Sequence, residues 1–235
     1  MKKSIFILSF IISFYLQGNA QSNNLNTTGK WGTQIFLSDA NGRAFVNKYA
    51  DVIGSAYLFP AFRFSSIELT DGRKFINIKS RLNLVEQEVE FISASGQEGY
   101  IGKGMVKRIT YADTTKKEIK IYSFETGYPK IDNQTFLNFY QVLSSGKCIL
   151  LKAINKNIED RNNELSGERS KEFIVREDLY LVTKGEIRRV KKDKDFILGL
   201  LSDQAVALNN YINEKKPNFR NESDLAQLIS YYNTL

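Results

Sequence analysis

An α+β fold dominated by antiparallel strands is predicted by three features of this 235-residue chain. Apolar and polar residues alternate in short runs from about Thr33 to Val190, turn-forming pairs such as Asp71-Gly72 punctuate the runs, and the period becomes helical near Asp193. Residues two apart share a face of a strand, whereas residues three and four apart share a face of a helix, so a change of period marks a change of element. Strands at this density, with no helical crossover between them, predict an antiparallel meander packed as a sandwich, a rolled sheet or an open barrel, followed by a C-terminal helical segment.

The first twenty residues stand apart from that fold. Lys2 and Lys3 precede the apolar run Ile5 to Leu16, and Gly18-Asn19-Ala20 then offers small residues where a signal peptidase reads. This pattern predicts a signal peptide over residues 1–20, cleaved before Gln21, and an exported protein, periplasmic or secreted. The apolar run is shorter than the roughly 20 residues that span a bilayer, and no later stretch is apolar enough, so no transmembrane span is expected after cleavage. No Cys lies near the cleavage point to carry a lipid anchor.

Residues 21–32 (QSNNLNTTGKWG) are polar and Asn-rich, which predicts a flexible lead. The β domain is expected over residues 33–192. Ile67-Glu68-Leu69 and Ile76-Asn77-Ile78 flank Asp71-Gly72 as a hairpin. Val89-Glu90-Phe91, Ile109-Thr110-Tyr111 and Ile119-Lys120-Ile121 continue the alternation. Further strands are predicted at Phe136 to Leu143 and at Cys148 to Ile154; Phe173 to Val175 pairs with Leu179 to Val182, and Ile187 to Val190 follows. The polar stretch Asn155 to Lys171 is predicted to be an exposed loop.

Residues 193–235 are expected to form helices packed on the β domain. Phe196, Ile197, Leu200 and Leu201 make one face, Leu208, Tyr211 and Ile212 a second, and Leu225, Leu228, Ile229 and Tyr232 a third. Pro217 ends the middle helix, and Asn221 or Ser223 caps the last. A single apolar stripe on each helix requires a partner surface.

Gly54-Ser55-Ala56-Tyr57-Leu58, Phe62, the turn Asp71-Gly72-Arg73-Lys74-Phe75 and Arg81-Leu82-Asn83 form a recognisable series. The series resembles a family of uncharacterised exported proteins of Bacteroidetes-type bacteria, which carry a G-S-x-Y-L segment, a D-G turn with an aromatic after it, and an R-Y-N triplet. Leu82 stands where that family usually has Tyr. The short final helices, closing on Tyr231-Tyr232-Asn233, resemble the same family. The resemblance spans about residues 50–92 and the C-terminal helices, and it implies an envelope location and a β-rich fold without implying an activity. Turn and core roles account for the same residues: Gly54-Ser55 permits a tight turn, Tyr57 and Leu58 anchor the first strand, and Asp71-Gly72 sets hairpin register.

The chain contains no His and one Cys, which excludes Ser-His-Asp and Cys-His catalysis, His-containing zinc sites, dithiol redox chemistry and intrachain disulfides. Cys148 lies in an apolar run and is expected to be a buried, inert thiol. No phosphate-cradling motif occurs, and Gly99 to Gly104 is expected to be a glycine-rich strand or bulge. No cofactor or metal is expected. Glu86, Glu88 and Glu90 alternate along one strand face, the pattern of a solvated sheet surface, although paired carboxylates also hydrolyse glycosides.

Loss of Lys2 and Lys3 leaves 31 basic residues against 26 acidic ones, a modest net charge of +5. The basic residues concentrate at Lys184, Arg188, Arg189, Lys191, Lys192 and Lys194. Arg188, Arg189, Lys191 and Lys192 are therefore candidates for an anionic partner such as an envelope polymer, lipid headgroups or another envelope protein. A solvated edge strand, whose cations block aggregation, is the reading favoured by the interruption of the run at Glu186, Asp193 and Asp195. Nucleic acid is excluded as a partner by the export signal and the small charge excess. The expectation is a non-enzymatic binding or structural protein of the envelope. The alternatives are a carboxylate hydrolase acting on envelope carbohydrate and a peripheral adapter of a membrane complex.

Overall fold

A computed structural model describes residues 48–113, 119–162 and 169–235. The signal peptide, the lead and the first part of the expected β domain lie outside the described residues. The strands are β1 (Val52–Ile53), β2 (Arg63–Leu69), β3 (Lys74–Asn83), β4 (Glu88–Ile92), β5 (Glu98–Ile101), β6 (Val106–Asp113), β7 (Lys120–Glu125), β8 (Tyr140–Ser144), β9 (Cys148–Asn162), β10 (Arg169–Thr183) and β11 (Glu186–Arg189). The helices are α1 (Lys194–Leu200), α2 (Ala205–Lys215) and α3 (Glu222–Thr234), with a 3-10 turn at Ser202–Gln204.

The strands form one mixed sheet in the order β1-β10-β9-β8-β7-β6-β2-β3-β4-β5, with β11 also on β10. The sheet is rolled without closing into a barrel. Asp71-Gly72 makes the predicted turn: Gly72 takes a φ of 88°, and the Leu69 N–H donates to the Arg73 carbonyl at 2.8 Å. Ile67 and Leu69 then face the core while Glu68 faces outward, as a period of two demands. In β3 the alternation breaks at Asn77, whose φ of 58° makes a bulge that turns Phe75 and Ile78 inward and leaves Ile76 53% exposed.

Two stitches draw the roll together. The Lys156 N–H of β9 donates to the Leu84 carbonyl just beyond β3, and the Gln87 side chain donates to the carbonyls of Leu84 and Ile154 while accepting the Phe139 N–H. The second stitch is a strap, residues 48–62, that pairs in parallel with β10 through β1 and then bridges Tyr57 to Asn83 of β3. Ala56 is buried in that strap, and Leu58 and Phe59 pack on the core.

The rolled half, β2 to β7, encloses one apolar cluster that includes Ile67, Leu82, Val89, Ile109, Tyr111 and Phe124. The helices cover the other half. Ile197, Leu208, Leu225, Leu228 and Ile229 bury against Cys148, Leu150 and Leu181 of β9 and β10. Asp193 caps α1 by accepting the Phe196 N–H, and Asn221 caps α3 by accepting the N–H groups of Ser223 and Asp224. Lys216 ends α2 in the left-handed conformation just before Pro217. Among the described residues no helix is long and apolar enough to cross a membrane.

Three expectations are corrected. Within the polar stretch Asn155 to Lys171 the described residues are strand and not loop: β9 continues to Asn162 and β10 starts at Arg169, with Arg169 opposite Asn162. Phe173 to Val175 and Leu179 to Val182 belong to the single strand β10, which pairs with β9 along its whole length. The strand predicted from Phe136 begins at Tyr140, because Phe136 and Leu137 occupy a turn held by Asn138 accepting from Thr135. Ladder hydrogen bonds satisfy the backbone of the outer hairpin whatever its side chains, so polarity alone did not exclude strand there.

Candidate functional site

A recess lies where the sheet comes apart. β7 and β8 pair only at Phe124 opposite Gln141 and Glu125 opposite Tyr140; beyond these positions the ladder stops, although both strands continue. The gap is a cleft of about 880 Å³ lined by Arg108, Thr110, Ile121, Ser123, Glu125 and Val142 to Ser145. Arg108 opposes Glu125 and Thr110 opposes Ser123 across β6 and β7, so these four side chains share the outer face. A smaller recess of about 450 Å³, lined by Ser66, Glu68, Lys74 and Ile76, adjoins it and shares Arg108 and Thr110.

Charge along this face is internally compensated. Arg108 donates through Nε to Glu125 at 2.7 Å and through Nη1 to Glu68 at 3.1 Å, and Lys107 also donates to Glu68. The Tyr128 hydroxyl donates to the other Glu125 oxygen. The bond from Lys107 leads the effects that hold Glu68 below its ordinary carboxyl range, while Glu125 raises Arg108. A glycosidase acid must stay protonated near neutrality, and Glu68 is shifted the opposite way. The surface left over is hydroxyl and apolar: Thr110, Ser123, Ser144 and Ser145 with Ile121, Val142 and Leu143.

The carboxylates on β4 are a correction. Glu90 is only 5% exposed, so it does not belong to a solvated face. It accepts from Arg81 at 2.7 Å and from the Tyr57 hydroxyl at 3.0 Å. The Arg81 guanidinium carbon lies 3.9 Å from the Tyr57 ring centre and 4.2 Å from that of Phe62. Burial, then Glu90, pushes the Tyr57 phenol upward. Lys156 donates to the Ser55 and Tyr57 carbonyls. Ser55, Tyr57, Phe62 and Arg81 are thus brought together with Glu90 and Lys156 as a clasp on the strap. Tyr57 forms an isolated bridge there, and no regular strand begins at it.

Two of the basic candidates are engaged by nearby carboxylates. Arg188 pairs with Glu186 at 2.8 Å, and Arg189 pairs with Asp178 and, at 3.8 Å, with Asp132. Lys191 lies 5.9 Å above the Phe196 ring, and Lys192 is exposed beside it. The thiol of Cys148 is fully buried, and its burial pushes it up to about 12, which leaves no thiolate to react near neutrality.

Sequence reasoning did not single out Arg108, Ser123 or Gln87. Cross-strand register would have paired Arg81 with Glu90, since both flank the same turn, but nothing local signals that the pair is buried. Among the described residues no three His, Cys, Asp or Glu side chains gather as metal ligands. In comparisons with known proteins, no family model, curated protein or solved structure matches this chain.

Proposed function

We propose that the protein is exported and acts without catalysis as a binding protein of the bacterial envelope, using the cleft between β7 and β8. Export is supported by the basic, apolar and small-residue segments of residues 1–20. The observation that carries the binding role is the interrupted ladder: two adjacent strands part after two residue pairs and line an open recess with hydroxyl and apolar groups. The two acidic residues on that face are already engaged by cations, which favours holding a ligand over transforming one.

The test uses the mature chain with purified sacculi and isolated envelope membranes. Wild-type protein is retained on one of these fractions, and Ile121→Lys, which places a charge at the cleft wall, loses retention with its melting temperature unchanged. Retention on neither fraction, or full retention of Ile121→Lys, overturns the proposal. Turnover of a glycoside panel that disappears in Glu125→Gln overturns its non-catalytic part. Recovery from cells of a chain that still begins at Met1 overturns export.

A further inference from the structure

Resting on that binding role, we infer that the occupant of the cleft is an extended polypeptide segment of another protein, added as a strand along the free edge of β7. β7 is paired with β6 over its full length, from Asp113 opposite Lys120 to Arg108 opposite Glu125. On its other side, among the described residues, only Phe124 and Glu125 have ladder partners, so Lys120 to Ser123 form an edge without a described strand neighbour on the β8 side. Across the opening, Val142 to Ser144 pair with β9 and stop pairing with β7. The backbone rows on both walls are those that an extended peptide satisfies by strand addition. At about 3.3 Å per residue the free edge of β7 is about 13 Å long, room for four or five residues of a bound strand.

The outer edge of β10 is defended and this one is not. The outer edge of β10 is covered by β1 at Lys171 and Glu172 and by β11 from Tyr180 to Thr183, and charged Arg176, Glu177 and Asp178 occupy the interval. Charged side chains and covering segments are the usual means of keeping an edge from pairing with another chain. Within the free part of β7 only Lys120 is charged, and Ile121 is 58% exposed at the opening. Side-chain selection follows from the walls. Ile121, Val142 and Leu143 suit small apolar residues, Thr110, Ser123 and Ser145 suit hydroxyls, and the Arg108–Glu125 pair gives a net charge no reason to enter.

The probe is a phage-displayed library of random heptapeptides panned on the mature protein, with the three most enriched sequences made as blocked synthetic peptides. Enriched peptides are uncharged and alternate β-branched with hydroxyl residues. They slow hydrogen exchange at Lys120 to Ser123, and Ile121→Lys weakens them at least tenfold. Peptides N-methylated at every second residue separate main-chain pairing from side-chain contact: at least one of the two methylation phases lowers affinity tenfold or more. The inference is overturned if no sequence enriches on wild type over Ile121→Lys, if protection falls outside the cleft, or if neither methylation phase weakens binding. Envelope retention that is lost in Ile121→Lys, without any peptide binding, leaves the binding role standing and removes only the polypeptide occupant.

Discussion

Asn233 joins α3 to the first residue of β9 by copying a strand neighbour: the Cys148 N–H donates to its Oδ1 at 2.8 Å, and its Nδ2 donates to the Cys148 carbonyl at 2.8 Å. The same Nδ2 reaches the Ser145 carbonyl at 3.1 Å. Gly146 makes the approach possible, since a Cβ there would lie 2.5 Å from Asn233 Cγ, and its φ of 147° disfavours other residues. Replacing Asn233 with Ala leaves the buried Cys148 amide without its acceptor, at a cost of about 1–3 kcal/mol. Urea denaturation measures it, and faster exchange of the Cys148 amide locates it. Gly146→Ala is expected to be at least as harmful.

The clasp at Arg81 gives a second prediction. Glu90→Leu alone leaves a largely buried guanidinium with only Glu98, at 3.6 Å, and costs about 3–5 kcal/mol, whereas the double variant Arg81→Met, Glu90→Leu recovers much of that loss because the buried charge pair is gone. A double-mutant cycle read by thermal melting checks it. A double variant no more stable than Glu90→Leu contradicts it.

Gln87 separates backbone strain from bonding. Its φ is 55°, and its amide serves the Leu84 and Ile154 carbonyls and the Phe139 N–H. Gln87→Ala loses the bonds and keeps the strain, costing about 1–3 kcal/mol. Gln87→Gly loses the same bonds and relieves the backbone, so it is expected to be about 0.5–1 kcal/mol less harmful than Ala. Chemical denaturation of the pair provides the comparison.

Stability should be flat from pH 6 to 8 and fall above pH 9. With no His, no side chain titrates at its ordinary value in the lower window. Burial raises Cys148 from 9.0 to about 12 and raises Tyr57, Tyr111, Tyr128 and Tyr180 above their ordinary value of 10.0. The folded state therefore keeps protons that the unfolded chain releases, so the stabilisation is complete below the unfolded values and is lost progressively as pH rises from them through the higher folded values. Urea midpoints from pH 6 to 11 test the profile. Alkylation of Cys148 at pH 7.5 should proceed only as fast as the protein opens.

Local rules made part of this fold legible. Asp71-Gly72 forced a turn, and the stripes at Ile197, Leu208 and Leu225 with the Asn221 cap fixed the helices, because each signal acts within a few residues. The outer hairpin of β9 and β10 was hidden for the opposite reason: Lys156 to Asn162 and Arg169 to Glu172 face mostly solvent, so the strands show no apolar alternation and their ladders, with each other and with β1, make them strands. The basic cluster was visible as composition, and Glu186 beside Arg188 with it, but the pairing of Arg189 with Asp178 depends on how β10 and β11 meet. The cleft was invisible, because an early end to the β7–β8 ladder leaves no mark on the side-chain pattern of either strand.

The two-rung seam between β7 and β8 also bears on the order in which the molecule takes shape. A chain that emerges N-terminus first, from a ribosome or through a membrane pore, presents β2 to β7 before any of β8 to β10. Most of the first apolar cluster belongs to those earlier strands, and only Phe139 and Ile154 come later. That half can collapse before the rest arrives and await the Gln87 and strap contacts that β9 and β10 complete. A seam of so few rungs lets two bodies form in succession, the first needing little rearrangement to admit the second.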